Sequence, residues 1–244
     1  MPGSNNGNRL ARRLFDSIAN NYEGPARAFS LFQYDRWRRL LVSRLDLTES
    51  SAVLDVSTGT GLVAMDIARA VGCPVVGLDL SARMLRRGRQ NLNASPLGQT
   101  VSLVQGTAEA LPFPDDRFDA VVFTFLLRYV EDRQAVLDEL ARVLKPGGQM
   151  ASLEFYIPRG PVLYPLWLLH TRVAMPLGTK LISPGWGDVG SFLGRSISTF
   201  YRENTLEDLT RMWTRAGLVG VDTEVLSLGG AVVTWGKKEQ RDGD

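Results

Sequence analysis

The run Val53-Leu54-Asp55-Val56-Ser57-Thr58-Gly59-Thr60-Gly61 constrains this chain more than any other segment. A short apolar strand passes directly into a loop with two glycines, and residues 62–71 continue at once with helical periodicity. Glycines at such a place let the backbone turn tightly and approach a ligand, while the helix N-terminus beyond offers unpaired N–H groups. A second apolar run, 74–78, ends at Asp79, where a carboxylate at the end of a strand can accept both hydroxyls of a ribose. Strand, glycine loop, helix, strand and terminal acid together predict a nucleoside-binding unit.

From residue 51 onward short apolar runs alternate with helical stretches, the order of a parallel sheet with crossover helices. Strands are predicted over 52–57, 74–78, 101–105, 120–125 and 149–156. Helices are predicted over 62–71, 82–93 and 131–144, with Ser81 as the N-cap of the second. Lys145-Pro146-Gly147-Gly148 reads as a breaker and turn closing the third helix. Ahead of this core, 9–47 has the spacing of two helices broken at Gly24-Pro25. After it, 157–200 reads as an irregular insertion rich in Pro and Gly. Thr205-Leu206-Glu207-Asp208 then opens a helix to residue 216 in capping-box fashion, and 219–226 and 231–235 are two last strands. Residues 1–8 and the last six, EQRDGD, are expected to be disordered or frayed.

The chain has 244 residues, 44% hydrophobic and 22% charged, which suits one α/β domain with insertions rather than a fibrous or disordered chain. Its segments are then a helical cap (9–47), a nucleoside-binding core (51–156), a lid (157–200) and a completion of the core (201–238). A net charge of +2 cannot coat nucleic acid by counterion release alone, so charge implies no polyanion partner. Cys73 is the single cysteine, so there is no intrachain disulfide and no CxxC metal site. With no signal-peptide-like start, a reducing, cytoplasmic setting is expected, and no metal cluster stands out. Residues 161–182 are apolar enough to approach bilayer length, but His170, Arg172, Lys180 and prolines argue against a spanning helix and for contact with something apolar.

Two cofactor classes share the strand, loop and helix. Gly59-Thr60-Gly61-Leu62-Val63-Ala64 fits the dinucleotide pattern GxGxxA. Asp55 favours the other class: an acid four residues before Gly59 repels a pyrophosphate and suits the ammonium and sulfonium of S-adenosylmethionine. A nicotinamide oxidoreductase and a non-catalytic cofactor-binding protein stay open on the residues alone.

Further segments narrow the choice. They are Phe15-Asp16-Ser17-Ile18-Ala19-Asn20-Asn21-Tyr22-Glu23, Trp37-Arg38-Arg39, Leu78-Asp79-Leu80-Ser81 with Met84-Leu85, and Gly106-Thr107-Ala108-Glu109-Ala110-Leu111-Pro112-Phe113-Pro114. Thr124-Phe125-Leu126-Leu127-Arg128-Tyr129-Val130, LKPGG and Leu153-Glu154-Phe155 follow. In these the chain resembles the class I S-adenosylmethionine methyltransferases and, within them, the ubiquinone/menaquinone C-methyltransferase (UbiE type) family, over nearly its whole length. The resemblance implies a Rossmann-like sheet of seven strands, the last antiparallel, with N-terminal helices and a lid insertion. It implies S-adenosyl-L-methionine as cofactor. Gly59 and Gly61 would pass under its methionine moiety, with Asp55, Ser57 and Thr58 in the same loop. Asp79, followed by Leu80, would hold the ribose, Thr107-Ala108-Glu109 would face the adenine, and Met84 would pack on it. Tyr22 would close over the cofactor, and Thr124 would present a hydroxyl near the methyl group. The chain departs from the family pattern at Thr107, at Tyr129, and at Gly190-Ser191-Phe192-Leu193, where two tyrosines are replaced.

Methyl transfer is an in-line displacement at a sulfonium carbon, so the protein supplies alignment and a dry site. C-methylation of a phenolic ring needs a stabilised phenolate, and Arg128 is the candidate, by charge rather than as a base. His170, the only histidine, and Glu154 are the candidate bases. The chain lacks the Asn/Asp-Pro-Pro-Tyr/Phe segment of nucleic-acid base methyltransferases, which argues against a nucleic-acid substrate. The expected acceptor is a lipophilic small molecule, a prenylated quinol or phenol first. N- or O-methylation of a phospholipid head group or secondary metabolite is the alternative. Arg9, Arg12, Arg13, Arg36, Arg38 and Arg39 would supply weak attraction to a membrane surface. Nothing in the sequence speaks to the oligomeric state.

Overall fold

A computed structural model describes residues 6–240. Its centre is a seven-stranded sheet in the order β3-β2-β1-β4-β5-β7-β6. The strands are β1 (Val53–Val56), β2 (Val75–Asp79), β3 (Val101–Gln105), β4 (Phe118–Thr124), β5 (Leu144–Phe155), β6 (Leu218–Leu226) and β7 (Ala231–Lys238). β1 to β5 pair in parallel, and β7 enters antiparallel between β5 and β6. This is the expected Rossmann-like sheet, with its reversed strand at the predicted place.

Parallel strands covered on both faces read as nearly continuous apolar runs. β1 and β4 do so, with Leu54, Val121, Val122 and Phe123 fully buried. One face packs on α6 (Arg133–Val143) and α10 (Leu206–Arg215), where Trp213 meets the Phe123 ring at 5.8 Å. The other packs on α3 (Tyr34–Ser43) and α4 (Leu62–Val71), with Trp37, Leu41 and Ile67 in the core. α5 (Ala82–Asn93) starts where Ser81 accepts the Met84 N–H at 3.0 Å, the predicted N-cap. At α10 Thr205 and Asp208 complete the reciprocal capping box.

Several expectations are corrected. The N-terminal region forms three helices, not two: α1 (Asn6–Ile18), α2 (Glu23–Phe29) and α3. Gly24-Pro25 falls in the first turn of α2, where proline's missing N–H costs nothing, so it starts a helix rather than breaking one. Residues 6–8, expected to be disordered, open α1; residues 1–5 and 241–244 lie outside the described residues. Lys145-Pro146-Gly147-Gly148 belongs to β5. The ladder slips between the Phe118 and Ala120 pairings, and Gly147 takes φ +74°, so the segment bulges instead of ending the strand.

The insertion is helical rather than irregular. α7 (Leu163–Leu169) runs through a π-helical turn (His170–Ala174) into α8 (Met175–Lys180), and α9 follows (Pro184–Glu203). Leu14 and Ile18 of α1 pack on Trp186 and Val189 of α9, so cap and lid share a small core. Among the described residues no helix is long and apolar enough to cross a membrane.

Candidate active site

The strand order reverses direction between β1 and β4, and in open α/β sheets the crevice at the C-terminal ends of such strands is where ligands bind. Both strands end in strained backbone. Ser57, just after β1, has φ +61°, and Phe125, just after β4, has φ +54°. A side chain in left-handed backbone costs of order 1–3 kcal/mol, and it persists where the surroundings over-determine it. Gly59 (φ +58°) and Gly61 (φ +80°) complete the turn, and Gly61 stands immediately before α4. A Cβ at Gly59 would lie 3.3 Å from the Met84 methyl, so loop and α5 pack closely at that position.

Two carboxylates hold the loop from different sides. Asp79 accepts the Gly59 N–H and the Ser81 N–H, both at 2.8 Å, and burial pushes its carboxyl up to about 6 against those two bonds. Asp55 accepts the Thr58 hydroxyl at 2.6 Å and the Ala64 N–H at 3.1 Å, and burial pushes it up to about 7. Asp55 is fully buried and does not reach the crevice, contrary to the expectation of direct contact with a cofactor. It ties the turn to the first turn of α4. Gly61 likewise shapes the loop from outside the cavity wall.

The other expected cofactor residues come together. Ser57, Thr58 and Gly59 line one cavity with Asp79, Leu80 and Met84. Its far wall is Thr107, Ala108 and Glu109, and Thr124 and Tyr22 close the end toward β4 and the cap. Glu109 Oε1 is buried without a hydrogen-bond partner, an acceptor that an amine can satisfy. A nucleoside carrying an amine and hydroxyls fits this cavity, whose wall offers Asp79 and Glu109 as acceptors.

A second chamber adjoins the first. Phe15, Tyr22, Tyr34, Phe125 and Tyr129 line both, and Phe29, Met175, Trp186, Val189 and Leu193 enclose the far side. Its polar wall is Arg128. The Arg128 side chain is 1% exposed, and its Nε stands 3.7 Å from Glu154 Oε2. The guanidinium lies over the Tyr129 and Phe155 rings at 5.1 and 5.4 Å, and its Nε and Nη1 lack hydrogen-bond partners. Glu154 accepts the Leu127 N–H at 3.0 Å, with burial raising its carboxyl and Arg128 opposing.

Glu154 lines neither cavity; it sits behind Arg128. His170 is not brought to the site either. Its Nε2 lies 3.1 Å from the Phe29 carbonyl oxygen, on the π-helical turn of the lid, outside both linings. Arg38 is also removed from the surface it was expected to charge: it is 6% exposed, paired with Asp66 at 2.8 Å and with Asp35 at 2.9 Å. Sequence reasoning missed Tyr34, Phe125 and Trp186. Tyr34 lies in a stretch whose helical spacing marks it only as core, Trp186 in the insertion read as irregular, and Phe125 shows its importance only in its backbone. Among the described residues no group of His, Cys, Asp and Glu is placed to hold a metal.

Solved structures share this architecture. An S-adenosylmethionine-dependent methyltransferase from Aquifex aeolicus superposes with TM-score 0.61 over 91% of this chain and 97% of its own, at 19% identity. A Haemonchus contortus phosphoethanolamine N-methyltransferase with S-adenosylhomocysteine gives 0.64 over 93% and 60%, at 14% identity. Sheet order, glycine loop and strand-end acid define the fold of the class I methyltransferases. The sequence profile of the ubiE/COQ5 methyltransferase family matches residues 4–238. Demethylmenaquinone methyltransferases from Lactiplantibacillus plantarum and Geobacillus kaustophilus are 32% and 35% identical, each over 93% of this chain and 95% of the relative. A ubiquinone/menaquinone biosynthesis C-methyltransferase from Hahella chejuensis is 34% identical over 84% and 82%. The chain therefore belongs to the ubiE/COQ5 methyltransferase family, and it is an enzyme.

Proposed function

We propose that this enzyme transfers a methyl group from S-adenosylmethionine to a ring carbon of a lipophilic quinol. The carrying observation is the pair of chambers that share one aromatic wall, the first built on the glycine loop and the second apolar with a single buried cation. When bound, S-adenosylmethionine supplies an electrophilic methyl on a sulfonium. In this reading Asp79 holds the ribose hydroxyls, Glu109 takes up the adenine side, and Tyr22 and Phe125 exclude water from the boundary between chambers. Arg128, among the described residues the one charged side chain on the wall of the second chamber, stabilises the acceptor oxygen as a phenolate by its charge. The phenolate drives electron density onto the neighbouring ring carbon, which forms the bond to the methyl. On transfer the S–C electron pair would stay with the departing thioether, and the ring proton would pass to water, since among the described residues no carboxylate or imidazole lines the acceptor chamber.

Demethylmenaquinol is the acceptor of first choice, because relatives matched nearly end to end carry that name. The cap over 9–47 and the lid over 157–200 would close the acceptor chamber as parts of one domain. A prenylated acceptor resides in a bilayer, so the enzyme would meet it by peripheral contact. Turnover with S-adenosylmethionine labelled in its methyl group, offered demethylmenaquinol, unprenylated naphthoquinol and phosphatidylethanolamine, tests the reading. Label should enter the ring of the prenylated quinol; label in the phospholipid head group instead would overturn C-methylation.

A further inference from the structure

The lid carries a surface that the two chambers do not use. From Val162, which caps α7, to Leu181, which follows α8, the exposed aliphatic side chains are Val162, Leu166, Leu169, Val173, Leu177 and Leu181. Their spacing of four, three, four, four and four residues is that of one helical face. The opposite face carries the buried residues Thr171, Met175 and Thr179. The Thr171 hydroxyl donates to the Trp167 carbonyl at 2.8 Å and the Thr179 hydroxyl to the Met175 carbonyl at 2.7 Å. The lid helix thus leaves an aliphatic stripe in solvent, while the hydroxyls of the buried Thr171 and Thr179 are satisfied within the helix itself.

Its packing on α9 follows the same logic. A Cβ at Gly190 would fall 2.1 Å from the Thr179 hydroxyl oxygen, and one at Gly194 would fall 2.8 Å from the Thr171 carbonyl oxygen. Two helices that approach through glycines at four-residue spacing use the small-residue contact typical of helices packed in lipid. Leucine burial does not drive this contact; the leucines face outward. Leu177 is 62% exposed and Leu181 90%.

Charge tells what the face fits. No Asp or Glu occurs between Glu154 and Asp188, whereas Arg159, Arg172 and Lys180 lie in that interval and all three are exposed. Tyr164 and Trp167, ring centroids 6.2 Å apart, add the aromatic pair that favours a headgroup boundary. The helix also walls the acceptor chamber from inside, through Met175 and Thr179. Phe29, another wall of that chamber, leads directly into Leu31 and Phe32, both exposed and both in left-handed backbone.

We propose that the outward stripe of the lid, Val162 to Leu181, is a monotopic docking face for an anionic bilayer surface, lying in the headgroup plane with Arg172 and Lys180 on the lipid phosphates. It rests on the reading of a lipid-borne acceptor and gives that reading a surface: the helix that contacts lipid outside is the one that bounds the chamber inside. The N-terminal arginines are not needed for it.

The test uses the full chain and vesicles of equal parts phosphatidylglycerol and phosphatidylcholine. The protein should sediment with these vesicles at low salt, and less so at high salt. Leu169→Gln/Leu177→Gln should lower the partition roughly tenfold or more, and Arg172→Glu/Lys180→Glu should abolish the preference for phosphatidylglycerol over phosphatidylcholine alone. Neither pair touches the chambers, so both variants should keep wild-type turnover of a short-chain, detergent-dispersed acceptor, which also shows that they are folded. Unchanged partition of the leucine variant overturns the proposal. So does the absence of wild-type binding together with a dimer, seen by light scattering, that the leucine variant breaks, because the stripe would then serve self-association. Binding through the stripe without turnover of any quinol would instead leave the face standing and refute the acceptor.

Discussion

The carboxylate of Asp79 accepts the backbone N–H of Gly59 at 2.8 Å, so the acid that ends β2 directly clamps the glycine loop that ends β1. The same side chain holds the start of α5 through the Ser81 N–H. One residue therefore shapes the cofactor cavity and lines it. Replacing it separates these roles. Asp79→Ala should lose hydrogen bonds to a charged group worth about 1.5–3 kcal/mol each, lowering S-adenosylmethionine affinity at least about tenfold by calorimetry. Asp79→Asn offers one acceptor oxygen for the Gly59 and Ser81 N–H groups, so it should lose about 1–3 kcal/mol of stability in the free protein together with much of the affinity. Equal affinity in a folded Asp79→Ala protein would assign the residue to loop structure alone.

A pH series follows from the same carboxylate. Its position near 6 arises from burial, and ribose hydroxyls donate to the ionised form. Affinity for S-adenosylmethionine should therefore fall roughly tenfold per pH unit below about 6 and level off above it. Asp79→Asn should flatten this limb. A wild-type affinity independent of pH from 5 to 7 would remove Asp79 from the ribose.

Asp55 gives the opposite kind of dependence, in stability. Its carboxyl sits near 7 in the fold and near about 4 in the unfolded chain, so the folded state binds the extra proton in between. Stability contributed by the protonated acid is present below about 4 and is lost as pH rises through 7, with a ceiling of about 4 kcal/mol for three units. Without cofactor, the wild type should lose melting temperature relative to Asp55→Asn across that window. A gap between the two that does not change with pH would show that Asp55 is charged throughout.

Arg128 and Glu154 must be tested as a pair. Arg128→Gln alone leaves a buried acid without its counter-charge and should cost up to about 3–5 kcal/mol. Adding Glu154→Gln should restore much of that stability. If Arg128 stabilises an acceptor phenolate, turnover should stay about 100-fold down in both variants. Recovery of turnover in the double variant would give Arg128 a structural role only.

His170 separates geometry from residue type. Its ring nitrogen meets the Phe29 carbonyl rather than either chamber, so His170→Gln should cost about 1 kcal/mol and leave kcat and its pH profile unchanged. A kcat lowered about 100-fold or more in a folded His170→Gln protein would restore the histidine as a base.

The order of apolar runs, the glycine loop and the strand-end acid were legible in the sequence because each is a local requirement. A buried parallel strand needs consecutive apolar residues, a left-handed turn needs glycine at Gly59 and Gly61, and a carboxylate at a strand end needs only its place in the order. The helix bounds at Leu62–Val71 and Ala82–Asn93 were legible for the same reason, with Gly72 closing the first and Ser81 capping the second. Proline and glycine content misled over 157–200, because its glycines serve close contact between helices and not turns: Gly190 and Gly194 lie inside α9 against Thr179 and Thr171.

What the sequence determined by itself was the order of strands and helices in the sheet, the glycine loop and the strand-end acid, since these follow from the period and identity of neighbouring residues. Only the tertiary structure decided that Asp55 lies beneath the loop while Asp79 faces the cavity, that His170 turns to Phe29, and that Tyr22, Tyr34, Phe125 and Trp186 from four separate segments enclose a second chamber. The physical reason is that burial and direction are set by elements distant in the chain. Nothing in the composition of a helix tells which of its faces another helix will cover, and in the lid an aliphatic stripe from Val162 to Leu181 is left uncovered.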